Sequence, residues 1–279
     1  VTSSHGVMAR RTFLASLGGL TVAGIAGAVI TSAPLPKPTF SESSVFDDGE
    51  IVGGYMTFES PKGHGEGRGY LVRPVQLKRE LPAVLVAHGS SGLNPYAKAV
   101  AHRLARQGYL AFAPDALHAS GGYPGDDNDG WSLLDAMDHN KVDQDFVMAA
   151  EVLKNHELSN GKLGVVGFCF GGYISNLLAS RPDLVDASVP FYGMPVQNER
   201  ADLIKGPLLL QFAGLDDWVN DSWEAYEAVL RTNQADYRAF IYPDVDYDFH
   251  DASGAHYHQG MADLAWSRTL GFLGEHLQS

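Results

Sequence analysis

The chain has 279 residues, 45% of them hydrophobic and 10% aromatic, with a formal net charge of −13. That size allows one domain with a sizeable core, and the acidic balance argues against nucleic acid or an anionic membrane surface as partner, since both need clustered lysine and arginine. A single cysteine, Cys169, excludes an internal disulfide.

At the N-terminus, Met8-Ala9-Arg10-Arg11-Thr12-Phe13-Leu14 sets a twin arginine ahead of a Gly- and Ala-rich apolar run reaching Ile30, with no acidic residue before Glu42. This resembles a twin-arginine export signal and implies a periplasmic or extracellular protein, with cleavage after Ala28 or Ala33. The run is about the shortest that spans a bilayer, so an uncleaved anchor is the alternative. Residues 1–33 are read as the signal and 34–50, rich in Pro, Ser and acidic groups, as a linker. The folded domain is expected over 51–279, with no stable membrane association once the signal is removed.

Strand-like segments at 51–58 and 69–73 flank a run of alternating glycines from Gly63 to Gly69. No Lys-Ser/Thr pair follows that run, so it reads as a hairpin connection and not a phosphate loop. Short apolar strands are then predicted at 83–87, 109–113, 164–167, 187–191, 208–213 and 238–242. Helices are predicted between them at 96–107, 141–156, 171–180, 221–232 and 261–277. Val142, Phe146, Ala149 and Leu153 give the helix at 141–156 one apolar stripe to set against a sheet. This alternation predicts an α/β fold, a mostly parallel central sheet with helices on both faces.

The stretch GFCFGG, residues 167–172, places Cys169 at the turn between a strand and a helix. A lone cysteine is most simply a buried small hydrophobe, but this is the nucleophile-elbow context, with Cys where Gly-x-Ser-x-Gly enzymes have Ser. Gly167 and Gly171 leave room on both sides, and a helix N-terminus favours the thiolate. An orienting acid and a histidine should follow, each past the end of its own strand. Asp216 or Asp217 follows the strand at 208–213, and His250 follows the strand ending at Tyr242. The loop His88-Gly89-Ser90-Ser91-Gly92 follows the strand at 83–87, which makes the backbone N–H groups of Ser90 and Phe170 the candidate oxyanion hole and His88 a structural residue.

Tyr123, Trp131, Trp218 and Phe170 are candidates to line the cleft, with core packing the plainer alternative for each. Residues 124–130 read as an acidic surface loop, because a calcium loop would have Gly125 and Ala136 at ligand positions. His256-Tyr257-His258 has no third ligand placed by spacing, so no metal site is expected.

The segments GLNPY (92–96), FAPD (112–115), GGYPG (121–125), GFCFGG (167–172), PFYG (190–193), PLLLQFA (207–213) and the pair Phe249-His250 occur in this order. Through them the chain resembles the dienelactone hydrolase family over 51–278. The resemblance implies an α/β-hydrolase fold and a cofactor-free hydrolase of small ester or lactone molecules, with Cys169, Asp216 and His250 as the triad. Asp216 is preferred over Asp217 because Val219 then falls three residues after it.

The resemblance also implies a glutamate at the position of Gly89, and arginines near Ala119 or Ser120 and near Gly254 that hold a substrate carboxylate. This chain has none of them, which argues against dienelactone itself. With no carboxylate at Gly89, Cys169 and His250 are expected to rest as thiolate and imidazolium. A different class of function, a non-hydrolytic protein of this fold using Cys169 as a redox-sensing or ligand-binding thiol, is the alternative. No pattern specifies an oligomeric state.

Overall fold

The computed structural model describes residues 46–278. The expected export signal, and the linker as far as residue 45, lie outside the described residues. Within them, a short strand β1 (Phe46–Asp47) already pairs with Gly53 and Val52, so regular structure starts before the expected boundary at 51. Phe46 stacks on His102 with ring centroids 4.4 Å apart, and this apolar contact holds the segment to the domain.

The next strands, β2 (Ile51–Ser60) and β3 (Gly65–Pro74), form the antiparallel hairpin expected from the glycine-rich connection. They continue into β4 (Leu81–Ala87), β5 (Leu110–Pro114), β6 (Ser159–Phe168), β7 (Ala187–Phe191), β8 (Leu208–Ala213) and β9 (Tyr237–Tyr242). The nine strands make one sheet in the order β1-β2-β3-β5-β4-β6-β7-β8-β9, parallel from β5 to β9. Strands covered on both faces must be apolar throughout, and every residue of β4, β5, β7 and β8 is buried.

The helices are α1 (Pro95–Arg106), α2 (Asp127–Asp135), α3 (His139–Lys154), α4 (Phe170–Ala179), α5 (Asn198–Ala201), α6 (Asp217–Asn220), α7 (Trp223–Thr232) and α8 (Gln259–Leu277). Alternate residues of a central strand feed two cores. Leu85 joins Phe146, Ile174 and Leu230 on the face of α3, α4 and α7, whereas Val84 and Val86 join Leu104, Trp266 and Leu273 on the face of α1 and α8.

Helix α2 replaces the expected acidic loop. Asp126 caps it by accepting from the N–H groups of Asn128 and Asp129, and Asp127 and Asp129 complement the helix dipole in the first turn. Its Gly130 presses on the loop after β4, where a Cβ would stand 2.1 Å from the Ser91 carbonyl oxygen. The loops after β4, β6, β8 and β9 all leave the same edge of the parallel sheet, where such folds build their sites.

Candidate active site

Cys169 sits between β6 and α4 with φ 59° and ψ −116°, a left-handed conformation that costs a non-glycine residue about 1–3 kcal/mol. The turn is held by Cys169 N–H donating to Phe191 O (3.1 Å) and Gly172 N–H donating to Cys169 O (2.9 Å). A Cβ on Gly167 would stand 1.9 Å from Gly171 O, and one on Gly171 would stand 2.0 Å from Ala87 O, so both glycines are required by backbone contact. The thiol remains partly exposed.

The loop after β4 meets this turn. Ser90 Oγ lies 3.4 Å from Cys169 Sγ, and a Cβ on Gly89 would stand 3.8 Å from Cys169 Cβ, so a side chain at 89 would neighbour the thiol. His88 is buried and ties the loop in place: its Nδ1 donates to Gly89 O (2.7 Å) and its Nε2 accepts from Ala116 N–H (3.1 Å). Burial lowers its pKa, which keeps Nε2 an acceptor. Outside the regular elements, no backbone hydrogen bond among the described residues uses the N–H of Ser90 or Phe170. The Phe170 ring packs against Phe146 and Tyr173.

Asp216, past the end of β8, is buried at 7% exposure, whereas Asp217 is exposed. One oxygen of Asp216 accepts from Val219 N–H (3.2 Å) and caps α6, while Oδ2 has no hydrogen-bond partner. Burial raises its pKa, and the charge of Asp246 raises it further.

His250 makes no hydrogen bond to Cys169 or Asp216. Its Nδ1 lies 2.5 Å from the Tyr96 hydroxyl and its Nε2 is buried without a partner. The ring stacks on Phe168 with centroids 5.2 Å apart and 25° between planes, between Phe191 and Trp266. Burial, with Arg103 nearby, lowers its pKa to about 3, which favours a neutral ring over the expected imidazolium. The cause is local: Asp248 adopts φ 68°, and the chain after it dives inward, burying Phe249 and His250 together.

Tyr247, just before that turn, takes the place beside the thiol that His250 was expected to hold. Its hydroxyl lies near enough to interact with Cys169 and feels the charges of Asp248 and Asp216. Burial of the hydroxyl is the main cause that raises its pKa well above the ordinary range, so it stays protonated. Its ring meets Tyr192 edge-on with centroids 5.3 Å apart, and Tyr192 donates to Asp248 Oδ1 at 3.3 Å. Burial and the charge of Asp251 raise the Asp248 pKa to about 7.

Tyr123, Trp131 and Trp218 are the other residues expected to line the cleft. Tyr123 donates to Asp127 at 2.7 Å, Trp131 follows Gly130 on α2, and Trp218 bonds Asp216 through its backbone N–H. Trp131 and Trp218 are 43% and 58% exposed, so neither is core. Among the described residues, no group of three or more His, Cys, Asp or Glu side chains could hold a metal ion.

The model of the dienelactone hydrolase family matches residues 68–277. The chain belongs to the dienelactone hydrolase family. It is 35% identical over 222 residues to Protein usf of Aquifex pyrophilus, covering 75% of this chain and 94% of that one. It is 32% identical over 230 residues to a probable 2-oxo-3-(5-oxofuran-2-ylidene)propanoate lactonase of Bradyrhizobium sp, covering 77% and 92%. The crystal structure of a putative dienelactone hydrolase from Klebsiella pneumoniae superposes with a TM-score of 0.70 at 25% identity, over 81% of this chain and 99% of that one.

As a dienelactone hydrolase family member, the protein has the α/β-hydrolase fold and is a hydrolase of ester or lactone bonds. Sequence reasoning missed Tyr247, Tyr96 and Tyr192 because it searched for an imidazole. A signal was present in Phe249: a large apolar residue so soon after a strand seeks the core and takes its neighbour His250 with it.

Proposed function

We propose that the chain hydrolyses small ester or lactone substrates through a thioester on Cys169, without a cofactor. The observation that carries this reading is the setting of the thiol: a strained turn at a helix N-terminus, Ser90 Oγ on one side and the Tyr247 hydroxyl on the other. Sulfur attacks the carbonyl carbon, and the N–H groups of Ser90 and Phe170 receive the oxyanion. The thiol proton passes by way of the Tyr247 hydroxyl toward Asp216, whose Oδ2 has no hydrogen-bond partner in the resting site and which burial makes more basic. Collapse of the intermediate expels the alkoxide, which regains a proton by the same route, and water then attacks the thioester. The lactonase name of the Bradyrhizobium relative supports a cyclic ester among the substrates.

Purified protein should release p-nitrophenol from p-nitrophenyl acetate in a burst, and Cys169→Ala should abolish the release. Unchanged turnover in that variant rejects the reading. One observation, that among the described residues no imidazole is hydrogen-bonded to Cys169, favours a second reading in which the thiol binds a ligand or is oxidised without turnover. Reversible oxidation of Cys169 together with no ester turnover in the wild type would select it.

The twin arginine at Arg10 and Arg11 supports export. Replacing both by Lys should retain the precursor inside the cell, and undiminished export would reject that route. Among the described residues, no helix is long and apolar enough to cross a membrane.

A further inference from the structure

Ser90 brings two hydrogen-bonding groups to the thiol, and the oxyanion takes one of them, the backbone N–H. The other is its hydroxyl, whose Oγ stands 3.4 Å from Cys169 Sγ, within hydrogen-bond reach of sulfur. Both residues are half-buried, so water competes for this contact only in part.

The backbone on either side of the hydroxyl is fixed. Gly92 N–H donates to Gly89 O at 3.1 Å and closes a tight turn around Ser90 and Ser91. His88 Nδ1 donates to the same carbonyl, while Asn94 N–H donates to Gly92 O at 2.8 Å. The sulfur's own turn is packed against the end of β4, since a Cβ on Gly171 would stand 2.0 Å from Ala87 O and 2.7 Å from His88 O. With both backbones held, one short rotor on each side completes the contact, and little side-chain entropy opposes it.

A hydroxyl suits a sulfur that changes charge. It accepts from S–H while the thiol is neutral and, by rotating its O–H, donates once the proton has left. The bond to the thiolate is charge-assisted and therefore the stronger of the two. A hydrogen bond made to the charged form favours that form.

We infer that the Ser90 hydroxyl is a positioning residue for the nucleophile: its O–H donates to the Cys169 sulfur and holds it as the attacking thiolate. This role is separate from that of the Ser90 backbone N–H, and it rests on Cys169 being the reactive centre. Ser90→Ala keeps the N–H and removes the hydroxyl, whereas Ser90→Thr keeps both.

Alkylation of Cys169 by iodoacetamide, followed against pH in the full chain, reads the thiolate, because the thiolate is the form that reacts. Ser90→Ala should move the midpoint of that curve up by about one pH unit, and Ser90→Thr should leave it within about 0.3 of the wild type. Ser91→Ala, which alters the same loop without touching the sulfur contact, should leave the midpoint in place. An unmoved midpoint in Ser90→Ala overturns the inference, as does an equal shift in Ser90→Thr or in Ser91→Ala.

Turnover separates this inference from the hydrolase reading. On p-nitrophenyl acetate the acid limb of kcat/KM should move with the alkylation midpoint. If the wild type and Ser90→Ala hydrolyse the ester with one pH profile and alkylate with one midpoint, the hydroxyl fails and the hydrolase stands. If no ester is hydrolysed while the midpoint moves in Ser90→Ala and not in Ser90→Thr, the hydrolase reading fails and the hydroxyl stands.

Discussion

The Tyr96 hydroxyl and His250 Nδ1 stand 2.5 Å apart, and this contact fixes His250 as a buried neutral ring rather than a base. Tyr96 has its pKa raised well above the ordinary range, chiefly by burial, so its O–H donates and Nδ1 accepts. The imidazole proton is then left on Nε2, where no acceptor meets it.

A pH dependence of stability follows, with two groups acting in opposite directions. His250 binds a proton below about 3 when folded but near 6.5 when unfolded, so its contribution is complete above pH 6.5 and is lost as the pH falls toward 3. Asp248 titrates near 7 when folded against 3.8 unfolded, so its effect is most favourable below 3.8 and is lost as the pH rises through 7. Urea unfolding between pH 4 and 8 should show the two partly cancelling in the wild type. His250→Phe should remove a fall of about 1.4 kcal/mol per pH unit below pH 6, and Asp248→Asn should expose that fall. If His250→Phe leaves the acid limb unchanged, the ring is not held neutral.

The elbow makes a second expectation. Gly167→Ala and Gly171→Ala each drive a methyl group into backbone oxygen, at 1.9 and 2.0 Å, whereas Gly89→Ala meets nothing closer than 3.8 Å. Each of the first two should cost about 3 kcal/mol or more, lowering Tm by roughly 6–12 °C, and Gly89→Ala should shift Tm by less than about 2 °C. Equal effects of all three on the melting curve would mean that the turn can relax.

The strands were legible because burial on both faces leaves an unbroken apolar run: Ala187–Phe191 and Leu208–Ala213 stand where composition puts them. The elbow was legible because small residues crowd a strand-to-helix turn. Helix α2 was not, since Gly130 in an acidic run reads as a turn, and only the approach to Ser91 explains why glycine is wanted inside a helix. Tyr247 escaped for a different reason. Which of Tyr247 and His250 faces the cleft is decided by the left-handed turn at Asp248, a backbone choice with no side-chain signature.

Asp216 and Asp217 should separate cleanly. Asp216 is buried with one oxygen left without a hydrogen-bond partner, whereas Asp217 is exposed in the first turn of α6. Asparagine at 216 can still accept from Val219 N–H, so the fold should survive while the proton acceptor is lost. Ester turnover should fall by about a hundredfold in Asp216→Asn and stay within about twofold in Asp217→Asn. The reverse order in the kinetics would move the assignment by one residue.

The last expectation concerns the group beside the sulfur. A phenol that stays protonated is a poor base, so thiol activation through Tyr247 should be slow, and an imidazole in its place would be the stronger base beside Cys169. Tyr247→His should therefore raise kcat/KM on p-nitrophenyl acetate by about tenfold to a hundredfold, and Tyr247→Phe should lower it, because the only hydroxyl in the relay is gone. His250→Phe should change the same rate by less than about twofold, since that ring lies among Phe168, Phe191 and Trp266. Circular dichroism on each variant separates loss of chemistry from loss of fold. If His250→Phe abolishes turnover in a folded protein and Tyr247→His gains nothing, His250 reaches the thiol during the reaction and the tyrosine relay is wrong.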